Sequence, residues 1–234
     1  MKKYTVFSTC FNIIFLFLVV ALIIKGNYIG MIKNSLQKES GEYDYTKNAS
    51  YIQRTTQFDI LPADSCDVLF LGDSITARFE WQAYFPQLKV YNRGIDSDVV
   101  EGVYNRLDQV IKVHPKKIFI MAGINDIQNK IPDTNTLKYY DEIIQTLKAE
   151  LPDTEIVIQS ILPVNKKTGI DNSEVAGLNE KISELAKANS LTYIDLYSLM
   201  IDSENDFTYT VDGVHPTGDG YQIWMDAIEK YVTD

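Results

Sequence analysis

From residue 67 onward two kinds of pattern alternate along the chain. Short apolar runs fall at residues 67–71, 88–91, 117–121, 155–159 and 191–194. Runs of this length, rich in Val, Ile and Leu and bounded by polar turns, predict strands buried on both faces. Between them the apolar positions recur every three or four residues. Val99, Val103, Leu107, Val110 and Ile111 form one such stripe, and Leu137, Tyr140, Ile143, Ile144 and Leu147 a second. Val175, Leu178, Ile182 and Leu185 make a third, with Asn172 or Ser173 placed to cap its start, and Tyr221, Trp224, Ile228 and Val232 a fourth. These stripes predict helices that bury one face. Strands alternating with helices over short connections predict parallel pairing, right-handed crossovers and helices on both faces. The expected architecture is a three-layer α/β/α sandwich on a five-stranded parallel sheet.

The first 60 residues read differently. Residues 13–24 are all apolar, and extending back to Tyr4 adds only Thr5, Ser8, Thr9 and Asn12 as polar interruptions. At about 1.5 Å per residue, a helix over this stretch crosses the roughly 30 Å hydrocarbon core of a bilayer. The run ends in Ile23-Ile24-Lys25-Gly26-Asn27-Tyr28, which lacks the small-x-small site of a cleaved signal, and Cys10 precedes the run instead of following it. Residues 1–25 are therefore expected to be a transmembrane signal anchor, in preference to a cleaved signal or a buried helix. Lys2 and Lys3 precede the span while Lys25, Lys33 and Lys38 follow it, so charge alone does not orient it. An extracytoplasmic location for the domain that follows is expected from the delivering role of such segments. Residues 26–60 are polar and mixed and read as a stalk or linker, with 61–234 as the domain; Asn48-Ala49-Ser50 is a glycosylation sequon.

Charge and rare residues narrow the function. The 32 acidic against 22 basic residues give a net charge of −10, which removes the electrostatic footprint that nucleic-acid binding requires. The two cysteines make neither a disulfide framework nor a zinc site. No Gly-x-Gly-x-x-Gly follows the first strand, no phosphate-binding Gly-x4-Gly-Lys-Ser/Thr occurs, and no metal-ligand cluster is visible. These patterns give no support to a nucleotide-binding or metal-binding reading. Imidazole chemistry must use His114 or His215, the only two histidines.

In an open parallel sheet, ligands bind beyond the carboxyl ends of the strands. Strand one runs into Gly72-Asp73-Ser74, strand two into Asn92-Arg93-Gly94, and strand three into Gly123-Ile124-Asn125-Asp126. The same rim thus gathers a hydroxyl, a glycine N–H and a carboxamide. His114 precedes strand three and belongs to the opposite rim, roughly 15–20 Å away across a five-residue strand. His215, in Asp212-Gly213-Val214-His215-Pro216 before the last helix, returns to the rim of Ser74. Asp73 and Asp126 read as loop-shaping hydrogen-bonders, and Glu80, Trp81, Tyr84 and Phe85 as core at least as readily as pocket.

Taken in order, Gly72-Asp73-Ser74, Gly94, Gly123-Ile124-Asn125-Asp126 and Asp212-Gly213-Val214-His215 resemble the four blocks of the GDSL/SGNH hydrolase family, over residues of about 66–232. Ile75 replaces the leucine of the family's name. The resemblance implies a flavodoxin-like three-layer fold, a Ser74-His215-Asp212 triad and no cofactor. On that reading His215 takes the Ser74 proton and Asp212 fixes its tautomer, while the Ser74 N–H, the Gly94 N–H and the Asn125 amide form an oxyanion hole. The implied activity is hydrolysis of a carboxylic ester, a short acyl group on a carbohydrate or a lysophospholipid. The alternative is a membrane-anchored O-acyltransferase acting on a surface glycan with the same triad. A non-catalytic binding module on this scaffold predicts a damaged triad, whereas all three residues are present. The expected partners are a small ester, acylated glycan or lipid substrate and, through residues 1–25, a membrane, with no nucleic acid.

Overall fold

The computed structural model describes residues 43–233. The anchor expected at residues 1–25, and residues 26–42 of the expected stalk, lie outside the described residues. Among those described, no helix is long and apolar enough to cross a membrane.

Five strands, β1 (Val68–Gly72), β2 (Val90–Gly94), β3 (Lys117–Met121), β4 (Glu155–Gln159) and β5 (Thr192–Ile194), pair in parallel in the order β2-β1-β3-β4-β5. The chain reverses direction across the sheet between β2 and β3, so the crevice at the carboxyl ends of β1 and β3 is the natural site. The register makes that rim compact: Gly72 is the Cα partner of both Gly94 and Met121. The central strands are buried along their length; Leu69, Phe70, Leu71, Ile118, Phe119, Ile120, Val157 and Ile158 are inaccessible. This is why they read as unbroken apolar runs.

Helices cover both faces. On one lie α1 (Ala49–Ile60), α4 (Val100–Tyr104), α5 (Asp108–Ile111), α7 (Asp133–Glu150) and α8 (Asn172–Ala188), with α1 against α5, and α7 against both α4 and α8. On the other, α2 (Ser74–Ala77) and α3 (Trp81–Tyr84) meet α10 (Gly218–Thr233) through Phe79 stacked on Tyr221 and Trp81 edge-on to Trp224. Trp81 and Phe85 are core residues. Two further helices, α6 (Ile124–Gln128) and α9 (Tyr197–Met200), follow β3 and β5.

Four sequence expectations change. The compact unit begins at Asp44, not near 61. The end of the expected stalk is α1, capped by Asn48 Oδ1 on the Ser50 N–H and anchored by the buried Phe58. Phe58 has the guanidinium of Arg54 over its ring and that of Arg93 as well, each 4.6 Å from the centroid. Asn48 Nδ2, the sequon nitrogen, donates to Asp96 O at 2.9 Å. The second strand runs later, to Gly94, because its polar residues find buried partners. Arg93 lies between the Phe58 and Tyr91 rings, and Asn92 bonds to the chain after β1. The stripe beginning at Val99 is two short helices, broken where Arg106 turns inward to Asp98 and Gly72 O. The cap of α8 is Asp171, one residue early, since Asn172 is occupied with both the N–H and C=O of Val164.

Candidate active site

The turn that presents Ser74 is built by Asp73. As β1 ends, the Asp73 carboxylate accepts the Ile75 N–H at 2.9 Å and caps α2, which places Ser74 at the first helical position. Burial pushes the Asp73 carboxyl up to about 7 against that hydrogen bond, with Asp98 and Asp126 adding to the rise. Asp73 shapes the turn, as its adjacency to Ser74 suggests. The N–H of a first-turn residue such as Ser74 has no intrahelical acceptor.

The histidine arrives on a loop that is almost entirely local in its bonding. Asp212 Oδ1 accepts the N–H groups of His215 at 2.9 Å and Val214 at 3.0 Å, and the Thr210 hydroxyl at 3.3 Å. Asp212 Oδ2 is left to meet His215 Nδ1 at 2.6 Å. Gly213, at φ +98°, makes the turn that a side chain would strain, and its carbonyl accepts the Asn165 N–H at 2.8 Å. On the other side of the imidazole, Nε2 lies 2.8 Å from Ser74 Oγ. With Nδ1–H directed at the carboxylate, Nε2 is the acceptor for the serine proton. Partial burial works to raise the Asp212 carboxyl, but the N–H groups of His215 and Val214 and the imidazole hold it well below the usual carboxylate range. The two halves are tied together by the Tyr221 hydroxyl of α10, which donates to Ile75 O at 2.7 Å.

Asn125 comes from α6, which follows β3, the strand next to β1. It is buried, and its Nδ2 donates one hydrogen to Asp98 O at 2.9 Å. Asp98 is itself fixed by Arg106, whose Nε is 2.8 Å from Asp98 Oδ2 and whose Nη2 donates to Gly72 O at 3.0 Å. Burial raises the Asp98 carboxyl to about 6 in spite of that arginine. Asp126 accepts the Val100 N–H and the Thr136 hydroxyl, a structural role, and burial pushes it up to about 7.

Gly94 requires a correction. Its N–H, expected as an oxyanion donor, donates instead to Asn92 Oδ1 at 2.9 Å. Its lack of a side chain serves packing: a Cβ there would collide with the Ala77 backbone nitrogen. Asn92 uses its other end on the same region, Nδ2 lying 3.0 Å from Ala77 O and 3.1 Å from Thr76 O.

A hydroxyl, an imidazole and a carboxylate in line, beside a buried carboxamide, suit acyl transfer through a covalent intermediate. Comparison with known proteins agrees. The model of the GDSL-like Lipase/Acylhydrolase family matches residues 70–223. The chain belongs to this family. A curated relative, a platelet-activating factor acetylhydrolase IB subunit beta homolog from Drosophila melanogaster, is 28% identical over 127 residues, 52% of this chain and 56% of the relative. The chain thus matches little more than half the length of that relative. Among solved structures, a candidate platelet activating factor from Streptococcus pneumoniae is 27% identical with a TM-score of 0.71, covering 88% of this chain and 99% of that one. A GDSL-like lipase from Bacteroides thetaiotaomicron is 27% identical with a TM-score of 0.68, covering 79% and 97%.

The four sequence blocks that resemble this family meet at one rim. His114 does not join them: it is exposed at the amino ends of the strands, with Pro115, Lys116 and Leu151. Sequence reading missed Asn92, Arg106, Thr210 and Asn165. Asn92 and Arg106 carried a signal, a polar residue continuing an apolar strand and an arginine inside a hydrophobic helical stripe. Thr210 and Asn165 carried none.

Proposed function

We propose that the chain is a serine-dependent carboxylic ester hydrolase in which Ser74 attacks the acyl carbonyl. His215 accepts the serine proton as the bond forms and returns it to the leaving alcohol. Asp212 holds the imidazole in the tautomer that leaves Nε2 basic and stabilises the imidazolium. Charge on the former carbonyl oxygen is met by the Ser74 N–H and the second amide hydrogen of Asn125, each donor of this kind being worth about 2.7–4 kcal/mol. Water then resolves the acyl-enzyme. The observation carrying the reading is the pair of contacts made by His215, 2.8 Å to Ser74 Oγ and 2.6 Å to Asp212 Oδ2.

The acyl group is short, such as acetyl on a carbohydrate or a glycerolipid. Supporting this are the connections of the described domain, which carry short helices and no inserted lid, and the acetylhydrolase name of the fruit-fly relative. The apolar run at residues 13–24 tethers the domain to a membrane on its outer side, and it is the feature that keeps a glycan O-acyltransferase as the second reading.

The test is hydrolysis of 4-nitrophenyl esters of increasing chain length, with and without a glycan acceptor, together with labelling by a fluorophosphonate. Acetyl ester turnover and a label on Ser74 are expected. A label elsewhere, or none, overturns the assignment of the nucleophile. Faster release on adding the acceptor, with acylated glycan formed, selects the transferase.

A further inference from the structure

A cleft of about 380 Å³ opens beside the nucleophile turn, between α1 and the chain that follows β1 and β2. Ser50, Gln53 and Arg54 form one wall; Arg78, Gly94 and Asp96 face them. Its lining contains no large apolar side chain, so a fatty acyl chain has nothing there to bury against. It contains two guanidiniums and one carboxylate. Arg54 is held in place by the Phe58 ring beneath it and by Gln57 Oε1 at 2.9 Å, which uses one of its five N–H donors. Arg78 lies 3.3 Å from Asp96 Oδ2 and 3.9 Å from Asp212 Oδ2. Its backbone N–H bonds to Ser74 O. The cleft and the Ser74-His215-Asp212 array therefore share a wall.

The setting is unusual for an acidic chain. With a net charge of −10, the protein repels anions at long range. Yet its only four arginines all lie within residues 54–106. Burial, and after it the charges of neighbouring arginines, lower the basicity of Arg54 and Arg93. Of the two guanidiniums lining the cleft, Arg78 is shared between Asp96 and Asp212, whereas Arg54 enters no ion pair among the described residues and has donors to spare. Guanidinium groups match the planar oxygens of carboxylate and phosphate, which they bind by paired charged hydrogen bonds.

We propose that this cleft is a substrate subsite for an anionic oxyacid group, a carboxylate or a phosphate carried by the ester, with Arg54 and Arg78 determining that specificity. The proposal rests on the ester-hydrolase reading and names the substrate class for it. The wall bearing Arg54 lies before residues 70–223, the part of the chain that the family model matches.

The test uses the full chain and two matched pairs of esters. One pair is 4-nitrophenyl hydrogen succinate and its methyl ester, with the charge on the acyl side. The other is 1-acetylglycerol 3-phosphate and 1-acetylglycerol, with the charge on the alcohol side. In at least one pair kcat/KM is expected to favour the anion by about tenfold or more, carried mainly by KM. Arg54→Gln should abolish that preference, Arg54→Lys should restore part of it, and 0.5 M salt should reduce it in the parent. Equal or poorer use of the anion in both pairs overturns the proposal, as does a preference that survives both Arg54→Gln and Arg78→Gln. Hydrolysis of none of the four esters strikes at the ester-hydrolase reading instead. The subsite then stands or falls on NMR titration with sn-glycerol 3-phosphate, where shifts lost in Arg54→Gln support it and no shifts refute it.

Discussion

The two rims of the sheet carry similar residues and put them to opposite uses. Each has one histidine. At the amino rim His114 is exposed beside the turn into β3, and a carboxylate of that rim, Asp67, meets Lys116 Nζ at 2.7 Å and the Lys89 N–H at 2.8 Å. That arrangement favours a charged acid: the Lys116 contact, then the Lys89 N–H, lowers the Asp67 carboxyl. At the carboxyl rim His215 stands between a hydroxyl and a carboxylate, over three buried acids, Asp73, Asp98 and Asp126, that burial pushes upward. One rim satisfies its charges at the surface. The other keeps charges where solvation is poor and holds them in place with backbone donors and one arginine. Preorganisation of this kind is what acyl transfer requires, and it makes the carboxyl rim the costlier to fold.

Exchanging the histidines one at a time is the sharpest way to break the comparison. His215→Ala and Ser74→Ala should each lower kcat for 4-nitrophenyl acetate by about 10⁴–10⁶-fold. His114→Ala should leave it within about twofold, with circular dichroism confirming that all three variants fold. A loss in His114→Ala as deep as that in His215→Ala would end the division of labour between the rims. Asp212→Asn retains the shape of the loop but reverses the hydrogen-bond polarity at Nδ1, and should cost about 10⁴-fold.

The next effect separates Asn125 from Gly94. Asn125→Ala should reduce kcat by about 10²–10³-fold with little change in melting temperature, since it removes a donor to charge that exists only in the transition state. Asn92→Ala, which frees the Gly94 N–H and releases the carbonyls of Thr76 and Ala77, should instead lower stability together with activity. If Asn125→Ala is as active as the parent, the second amide hydrogen has no catalytic task.

Most of this rim was legible in the sequence because strand ends are marked by local chemistry. Leu71 passes directly into Gly72-Asp73-Ser74, and Met121 through Ala122 into Gly123-Ile124-Asn125, so topology alone brought the hydroxyl and the carboxamide together. His215 could be separated from His114 by the same rule. What was not legible depends on tertiary partners. A helix with a single buried side chain, α1, gives a weak periodic signal, and tertiary partners such as Arg93 on the Phe58 ring and Gln109 on Asp59 explain its place. Gly94 looks like a free donor until Asn92 is seen to fold back on it. The break at Arg106 follows from a buried ion pair whose acid lies eight residues away, which no propensity encodes.

The smallest expected effect concerns stability and draws on the acids beneath the site. A carboxyl raised from about 4 in the unfolded chain to about 7 in the fold binds more protons folded than unfolded between those values. Stability then falls as pH rises through that window and levels off above it. Asp67, lowered in the fold, has the opposite sign: its contribution is complete above the unfolded value and is lost only in more acidic solution. Between pH 5 and pH 8 the carboxyl rim should therefore supply a downward slope in melting temperature and the amino rim none. Asp73→Asn, whose carbonyl oxygen still accepts the Ile75 N–H, should flatten that slope and gain on the parent most at pH 8. Asp67→Asn should lower the curve evenly without altering its slope. Parallel curves for the parent and Asp73→Asn would mean that the acid under the nucleophile is ionised at little cost, and that solvation at the two rims differs less than their burial implies.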